Sequence, residues 1–321
     1  MSKLLKNLVL VLAVGLAGSA SAASWPDRAV DWVVPYSAGG GSDIIARTVG
    51  SALQAKLGQT VVVMNKPGAA TIIGATYIER AKPDGYTVGT ADSGTLAYNP
   101  SLYSRLQYDP QKFTYIGGLA RFPLMLAVNQ NSPFKTVQDV IDAARKSPGK
   151  LTSASAGNGS PHHLALEMFK QRAGVKIMNV PYKGAAPAIK DLLGGQVDMA
   201  FVDSAAALSN IKAGKLRVLA TATPERLALL PDVPTMAQAG VKNFTAYAWQ
   251  GVVGPAGMPQ AVVRKLDADL QAVLKSGDVG AKIRAMGVEP MPMSSSDFKK
   301  YADQQRAEWA RVIKTAGIKL D

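Results

Sequence analysis

The chain has 321 residues, of which 47% are hydrophobic and 18% charged, and it contains no cysteine. This composition is that of an ordinary globular protein and excludes a disordered chain, a collagen-like repeat and a disulfide scaffold. Without cysteine there is no cysteine nucleophile, no cysteine-ligated zinc and no iron–sulfur cluster, and two histidines are too few for a multi-histidine metal site. We therefore expect no metal and no other cofactor. The length suggests two domains with a ligand cleft between them.

The formal net charge is +13. Lysines and arginines are scattered singly, with no run of five or more and no recognisable nucleic-acid module, so no nucleic-acid partner is expected. Two interpretations of the excess positive charge remain open. It is either a solvated basic surface or a surface that attracts acidic ligands.

The first 22 residues have the pattern of a cleavable signal peptide. Lys3 and Lys6 precede an almost wholly apolar stretch at 8–16, and Ala20-Ser21-Ala22 matches the small-x-small pattern that a signal peptidase cleaves. We predict cleavage after Ala22 and export to the periplasm. A membrane anchor would need about 20 apolar residues, and the run breaks up earlier than that.

Along the rest of the chain, strands alternate with helices in two series. In the first, strands at 30–35, 60–65 and 86–91 alternate with helices at 43–57 and 72–81. In the second, strands are predicted at 125–129, 151–156, 177–180, 199–202 and 218–221, and helices at 137–146, 163–173 and 188–193. This alternation predicts an α/β protein built on mostly parallel sheets.

The segments between and after the two series complete the predicted architecture. Prolines within 99–116, followed by Gly117-Gly118, indicate turns and a crossing segment. The tail is predicted to be helical at 261–274 and 297–314, and these amphipathic helices are expected to return to the first lobe. We assign lobe one to 25–124 plus 245–321, and lobe two to 125–244.

A repeated loop is the strongest functional signal. Residues 37–42 read Ser-Ala-Gly-Gly-Gly-Ser and residues 155–160 read Ser-Ala-Gly-Asn-Gly-Ser, each between a predicted strand and a predicted helix. Glycines let backbone N–H groups approach a ligand, and a helix N-terminus attracts a carboxylate or phosphate. Two such loops, one in each lobe, would face each other across a cleft. The alternative is that each loop is only a well-capped turn.

Three further segments follow predicted strands, where open parallel sheets place their ligands. They are 181–187 (Pro-Tyr-Lys-Gly-Ala-Ala-Pro), 92–95 (Asp-Ser-Gly-Thr) and Asp203-Ser204. The last two are more typical of helix caps than of ligand contacts. Trp249 and Tyr247 are expected in the core or at the lobe junction, with one of them a possible pocket wall.

A catalytic function is less well supported. Ser160 and His163 lie close in sequence, so an exported serine-type hydrolase is the main alternative from another class of protein. However, Gly-x-Ser-x-Gly, the Walker A motif and Gly-x-Gly-x-x-Gly are all absent, which argues against a nucleophile elbow and a nucleotide cofactor. A third possibility is a receptor-like domain that serves a sensor.

Six motifs, in one order and spacing, resemble the extracytoplasmic solute receptors of tripartite tricarboxylate transporters, also called Bug-type receptors. They are 35–43 (Pro-Tyr-Ser-Ala-Gly-Gly-Gly-Ser-Asp), 65–69 (Asn-Lys-Pro-Gly-Ala), 82–87 (Lys-Pro-Asp-Gly-Tyr-Thr), 181–184, 191–198 and 230–235. The resemblance spans essentially the whole mature chain. It implies a type II periplasmic-binding-protein fold, with two α/β lobes that close on a ligand in the cleft between them.

The resemblance also implies the function and the partners. The expected ligand is a small organic acid, whether a mono-, di- or tricarboxylate, an aromatic acid or an amino acid. It would be delivered to a membrane permease of one large and one small subunit, and the receptor itself is expected to be a monomer and not an enzyme.

By the same resemblance, each expected site residue receives a role. Backbone amides, hydroxyls and ordered waters would hold the carboxylate at Ser37, Gly41, Ser42, Gly159 and Ser160, with Tyr36 beside them. Helix-start amides would come from Gly184 and Ala185, and the variable part of the pocket would be lined by Ser93, His163, Asp203 and Ser204. The chain departs from the family pattern at 68–74, where two expected glycines are missing.

Overall fold

The computed structural model describes residues 25–320. The predicted signal peptide at 1–22 therefore lies outside the described residues. Within the described range, no helix has both the length and the hydrophobicity that a membrane span requires.

The first series of elements forms a parallel sheet with covering helices. Its elements are β1 (Val30–Val34), α1 (Gly41–Leu57), β2 (Val61–Asn65), α2 (Ile72–Glu79) and β3 (Thr87–Asp92). β1 pairs in parallel with both β2 and β3. The predicted limits of these elements agree with the structure to within two residues. A π-helical turn (Gly94–Tyr98), the short helix α3 (Asn99–Leu102) and a 3-10 turn (Pro110–Lys112) follow.

Two long strands connect the halves of the molecule. The strand β4 (Thr114–Asn129) pairs antiparallel with β9 (Tyr247–Gly254) along its first part and with strands of the second series along its last part. The prediction of turns at Gly117-Gly118 was wrong, because both residues lie inside β4. Glycine is required there by packing: a Cβ atom on Gly118 would stand 2.6 Å from the carbonyl oxygen of Met291.

The second series repeats the alternation of strand and helix. It consists of α4 (Val137–Lys146), β5 (Thr152–Ser155), α5 (Pro161–Ala173), β6 (Met178–Pro181), α6 (Ala185–Leu193), β7 (Met199–Asp203), α7 (Ser204–Lys212) and β8 (Leu216–Thr221). β5 pairs in parallel with β6 and β7. The helix α6 begins three residues before its predicted start at 188, because Ala185 and Pro187 suit a first helical turn.

The tail adds α8 (Gln260–Lys275), α9 (Gly277–Ala285), β10 (Glu289–Pro290) and α10 (Ser295–Ala316). These elements pack against the first series. Phe298 of α10 lies edge-on to Trp249 of β9, with ring centroids 6.1 Å apart, and packs against Tyr115 of β4 at 5.5 Å. Leu266 and Leu270 of α8 join the same core as the strand β1.

The main strand path runs β2-β1-β3-β9-β4-β7-β5-β6. We call the half that contains β1–β3 and α8–α10 the first lobe, and the half that contains α4–α7 and β5–β8 the second lobe. Most buried apolar residues of 124–246 form two clusters, and the buried apolar residues of the rest of the chain form two others, which also contain Ala156 and Leu164. The chain is thus a two-lobed α/β protein in which β4 and β9 cross between the lobes.

Candidate functional site

A cavity lies between the two lobes, where strands of both lobes end and helices begin. Its walls come from the ends of β1, β3 and β7, the starts of α1, α5 and α6, and the middle of β4 and β9. The residues lining it are Tyr36, Gly40, Gly41, Ser42, Asp92, Phe122, Ala156, Pro161, His162, Ala185, Asp203, Ala248, Trp249 and Gln250.

The glycine-rich loop 37–42 is held in place by side chains of the neighbouring sequence motifs. Asp43 accepts the N–H of Gly39 at 2.9 Å and the side-chain amide of Asn65 at 2.9 Å. The same amide nitrogen of Asn65 donates to the carbonyl oxygen of Tyr36 at 2.9 Å. Because Asp43 and Asn65 fix the loop at both ends, the two motifs 35–43 and 65–69 act as one structural unit.

Electrostatics stabilise this unit. Burial alone would raise the pKa of the Asp43 carboxyl, but hydrogen bonds from Arg47, the Gly39 N–H and Asn65 outweigh burial and hold the pKa below its ordinary value. Asp43 therefore carries its negative charge within the first turn of α1, where the helix dipole also favours an anion.

The N-terminus of α1 opens into the cavity. Its N-cap residue is Gly40, which has no side chain that could cap the helix, and the residues Gly40, Gly41 and Ser42 all line the cavity. The hydroxyl of Ser42 does not cap the helix either, since it donates to Oε1 of Gln250 at 2.7 Å. A helix start without a side-chain cap presents N–H donors and the positive end of the helix dipole.

The second lobe approaches this loop closely. The N–H of Ser37 donates to the carbonyl oxygen of Lys183 at 3.0 Å. A Cβ atom on Gly40 would lie 3.6 Å from the backbone nitrogen of Ala185, and one on Gly41 would lie 2.3 Å from Oδ1 of Asp203. Only glycine at position 41 allows the two lobes to come this close.

Two buried carboxylates form the acidic part of the wall. Asp92 accepts the hydroxyl of Tyr36 at 2.7 Å, the N–H of Thr95 at 2.9 Å and its hydroxyl at 2.8 Å. Asp203 caps α7 by accepting the N–H of Ala206 at 2.9 Å, and its other oxygen lies 3.4 Å from Nε2 of His162. Burial, and then the neighbouring Asp92, raise the pKa of Tyr36, so its hydroxyl remains a donor.

Two polar atoms of the wall have no hydrogen-bond partner among the described residues. They are Nε2 of Gln250 and Nδ1 of His162, and both atoms are buried. Since buried polar atoms in folded proteins are nearly always hydrogen-bonded, unpartnered atoms on a cavity wall are suited to contact a ligand.

Of the residues predicted from the sequence, the structure places five on the cavity wall: Tyr36, Gly41, Ser42, Ala185 and Asp203. The other seven do not line the cavity: Ser37, Ser93, Gly159, Ser160, His163, Gly184 and Ser204. Several of these make hydrogen bonds to other parts of the protein. Ser204, for example, donates its hydroxyl to the carbonyl oxygen of Gly287 at 2.9 Å.

In the loop 155–160, two backbone N–H groups donate to nearby protein atoms and not into the cavity. The N–H of Gly159 donates to Nδ1 of His163 at 3.1 Å, and the N–H of Ser160 donates to the carbonyl oxygen of Gly157 at 3.1 Å. The cavity is instead lined by Ala156 and Pro161, on either side of these residues.

The same contacts bear on the hydrolase alternative. Ser160 caps α5, since its Oγ accepts the backbone N–H of His163 at 3.3 Å. The ring of His163 faces Gly159 through Nδ1 and Glu167 through Nε2, which is 3.5 Å from Oε1 of that residue. The pair therefore lacks the bond between hydroxyl and imidazole that activates a serine nucleophile.

Sequence reasoning did not select three polar residues that line the cavity. Asp92 was recognised at a strand end but interpreted mainly as a cap. His162 precedes the histidine that was selected, and only the rotation of the first turn of α5 decides which ring faces the cavity. Gln250 lies in β9, a strand that was not predicted.

A second cavity adjoins the first and shares Tyr36 and Ala156 with it. One wall is the loop where the sequence departs from the family pattern, and there Ala69, Ala70 and Thr71 adopt left-handed φ angles of 44°, 53° and 73°. The opposite wall includes Lys183, whose side chain is exposed.

The comparisons with known proteins agree with this architecture. The family model described as "Tripartite tricarboxylate transporter family receptor" matches residues 45–318. The solved structure of the periplasmic binding protein BugD is 35% identical, with a TM-score of 0.89, and the match covers 92% of this chain and all of that one. Rpa4515 of R. palustris with adipate gives 36% identity and a TM-score of 0.89, over 92% of this chain and 100% of that one. MatC of Rhodopseudomonas palustris with bound malate is 29% identical, with a TM-score of 0.86, and the match covers 90% of this chain and 100% of that one.

These matches confirm the resemblance inferred from the sequence motifs and the two-lobed periplasmic-binding-protein fold. They also favour the receptor over the hydrolase, because the matched family and structures are binding proteins. The chain belongs to the tripartite tricarboxylate transporter receptor family and is a solute receptor, not an enzyme.

Proposed function

We propose that this receptor captures a small organic acid in the cavity between its lobes and delivers it to a membrane permease of one large and one small subunit. The observation that carries the proposal is the start of α1, which has no capping side chain and lies in the cavity. That adipate and malate occupy the related Rpa4515 and MatC supports an organic acid.

The carboxylate would bind where the starts of α1 and α6 approach each other. Gly40, Gly41 and Ala185 line the cavity at these two helix starts. A helix N-terminus contributes about 0.3–1 kcal/mol to binding an anion, and up to ~2 kcal/mol when it is sheltered from water. The unpartnered Nε2 of Gln250 offers a further donor to the same carboxylate. No bond in the ligand needs to change.

The ligand would act on the equilibrium between open and closed lobes. The contact between Ser37 and Lys183 and the close approach of Gly41 to Asp203 exist only when the lobes are together. A ligand that touches both lobes therefore binds the closed form more tightly and shifts the population towards it. The permease would recognise this closed shape.

The lobes that close would comprise 25–124 plus 245–321 and 125–244. Two clusters of buried residues lie wholly within 124–246 and two lie outside it except for Ala156 and Leu164, which supports these limits. The return of α8 and α10 to the strands β1 and β9 supports a discontinuous first lobe.

We further propose that the receptor is exported, cleaved after Ala22 and active as a monomer in the periplasm. The pattern of residues 1–22 and the periplasmic location of BugD support this. The mass of the protein recovered from a periplasmic extract gives the cleavage site directly, and its elution volume gives the oligomeric state.

A thermal-shift panel of mono-, di- and tricarboxylates, aromatic acids and amino acids tests the function. A ligand at 100 times its Kd adds about 2.7 kcal/mol to the free energy of unfolding, which corresponds to a rise of roughly 4 °C in Tm for a protein of this size. Neutral sugars serve as the control. A panel in which no organic acid raises the Tm contradicts the proposal.

A further inference from the structure

A groove on the surface of the first lobe runs along α2, beside the starts of β1 and β3. We call it the α2 groove, and its lining includes Lys66, Ile73, Tyr77, Arg80, Lys82 and Tyr86. It shares no lining residue with the cavity between the lobes. The α2 groove is therefore free to hold a partner while a ligand occupies the cavity.

Two of the motifs that carry the family resemblance meet at the α2 groove. The motif 65–69 contributes Lys66, and the motif 82–87 contributes Lys82 and further lining residues. Within 82–87, Gly85 has a structural role, because it adopts a left-handed φ of 88°. Lys82 has no such role, since its side chain is exposed and forms no ion pair among the described residues. A family motif that lies away from the ligand fits the partner that receptors for different acids have in common, which is the permease.

The α2 groove carries more positive than negative charge. Its charged lining residues are Arg28, Lys66, Arg80 and Lys82, with Asp31 and Asp84. Arg28 and Asp84 form an ion pair at 3.3 Å, which leaves three cations against one carboxylate. Among the described residues, none of these three cations forms an ion pair. The α2 groove therefore attracts an acidic partner.

Apolar and aromatic surface lies between these charges. Ile73 and Tyr77 are one helical turn apart on α2 and are 53% and 42% exposed. Nζ of Lys66 lies 4.1 Å from the centre of the Tyr77 ring, and the guanidinium of Arg28 lies 3.7 Å from that of Tyr86. Exposed apolar side chains surrounded by polar ones are typical of sites that bind other proteins.

The shape of the α2 groove favours a peptide segment over a flat membrane surface. The eight residues of α2 extend about 12 Å, which corresponds to about four residues of an extended chain. Such a segment can place apolar side chains on Ile73 and Tyr77 and carboxylates near the lysines and Arg80. Resting on the proposed function, we propose that the α2 groove docks an acidic segment of the membrane permease that also carries apolar side chains.

The α2 groove also adjoins a residue that holds the glycine-rich loop of the cavity. Lys66 follows Asn65, whose side-chain amide donates to the carbonyl oxygen of Tyr36 and to the carboxylate of Asp43. These two acceptors flank the loop 37–42. A permease segment at Lys66 therefore lies next to the support of this loop without entering the cavity.

Uptake into spheroplasts tests the proposal. Spheroplasts of the host strain, with the receptor gene deleted, are given purified receptor and the radiolabelled acid that the thermal-shift panel identifies. The receptor concentration that gives half-maximal uptake measures docking, and titration calorimetry gives the Kd for the acid. A change in docking alters the first quantity and leaves the second as it was.

A double charge reversal locates the docking site. Arg80→Glu/Lys82→Glu is expected to raise the half-maximal receptor concentration at least tenfold, with the Kd for the acid within twofold of the wild type. Arg264→Glu/Lys300→Glu is the matched control with the same change in net charge. Arg264 and Lys300 are exposed on the first lobe and do not line the α2 groove. This control should change neither quantity by more than twofold.

A second variant tests the apolar part of the α2 groove. Ile73→Ser should raise the half-maximal receptor concentration at least threefold without changing the Kd for the acid. Val312→Ser is its control, because Val312 is 38% exposed on α10 and lies outside the α2 groove. Sedimentation with protein-free vesicles, made of equal parts of phosphatidylethanolamine and phosphatidylglycerol, tests a lipid partner. Binding of the wild type, but not of the double variant Arg80→Glu/Lys82→Glu, to these vesicles refutes the peptide partner.

The outcomes separate this proposal from the one on which it rests. A half-maximal concentration that is unchanged in Arg80→Glu/Lys82→Glu, or raised equally in its control, refutes docking at the α2 groove and leaves the carboxylate receptor standing. A receptor that binds an acid but supports no uptake refutes delivery to a permease. If no acid binds at all, the proposed function itself fails. Circular dichroism identifies a variant that does not fold, and in that case Ile73→Ser decides the question.

Discussion

The backbone N–H of Ser37 donates to the carbonyl oxygen of Lys183 at 3.0 Å, which joins the glycine-rich loop of the first lobe to the segment before α6 in the second. Close to it, Oδ1 of Asp203 lies 2.3 Å from where a Cβ atom of Gly41 would stand. Both relationships lie at the edge of the cavity. Substitutions at these positions are therefore expected to change ligand binding through closure of the lobes.

Gly41→Ala tests this relationship. The added methyl group would clash with a carboxylate that is held in place by capping α7, so the lobes would stop short of full closure. We expect ligand affinity to fall at least tenfold while the Tm of the ligand-free protein changes by less than about 3 °C, measured by calorimetry and thermal denaturation.

Gly277→Ala is the matched control. Gly277 also stands first in a helix, α9, but no atom lies within 4 Å of a Cβ built there. The Gly277→Ala variant should bind the ligand with the affinity of the wild type. Equal affinity in both variants would show that closure does not require the close approach at Gly41.

Gln250→Glu tests the free amide on the cavity wall. Gln250 is 1% exposed, and its Oε1 accepts the hydroxyl of Ser42 while its Nε2 has no partner. Replacing the amide nitrogen by oxygen removes a donor and adds a third buried carboxylate, so affinity for an organic acid should fall at least tenfold in titration calorimetry.

Gln304→Glu provides the control for added charge, because Gln304 is exposed on α10 and does not line the cavity. It should leave the affinity unchanged. If Gln250→Glu also binds normally, the carboxylate of the ligand does not contact this side chain.

Much of the fold followed from the sequence because its elements have strong local signals. Helix 137–146 was predicted with its exact observed limits, since Thr136 and Asp139 form a capping box and the apolar residues have a helical period. The strand β9 was missed because Tyr247–Gly254 is buried along most of its length and does not alternate between apolar and polar residues.

The site was only partly predictable for a related reason. The strand-to-helix turns gave the location of Gly41 and Ala185, because parallel strands end at one edge of a sheet. The orientation of a side chain within a turn is decided by packing that no short motif encodes. This explains why Gly159 was predicted as a site residue although its N–H donates to Nδ1 of His163, and why Gln250 was not predicted.

Asp43→Asn tests how the glycine-rich loop is held. Asp43 accepts hydrogen bonds from Gly39, Asn65 and Arg47, and an amide can replace only some of them. We expect a loss of about 2 kcal/mol in the free energy of unfolding at pH 7, measured by urea denaturation.

The pH dependence of this loss has a defined sign. Because the pKa of Asp43 is lowered in the folded protein, its stabilising contribution is complete above the ordinary carboxyl pKa of about 4 and disappears as the pH falls through the lowered value. The difference in stability between wild type and variant should therefore narrow below about pH 4. A constant difference down to pH 3 would show that the charge of Asp43 contributes nothing.

The adjacent residues His162 and His163 differ in position: one lines the cavity, and the other contacts the loop 155–160. His162 lines the cavity with its Nδ1 unpartnered, whereas His163 is turned towards Gly159 and Glu167 and does not line it. His162→Ala should lower ligand affinity at least fivefold, because it removes a polar contact and opens the wall. His163→Ala should leave the affinity within twofold and lower the free energy of unfolding by about 1–2 kcal/mol, because the N–H of Gly159 loses its acceptor. Titration calorimetry and urea denaturation of both variants give the two quantities, and a larger loss of affinity in His163→Ala would place that ring, and the loop 155–160, at the ligand after all.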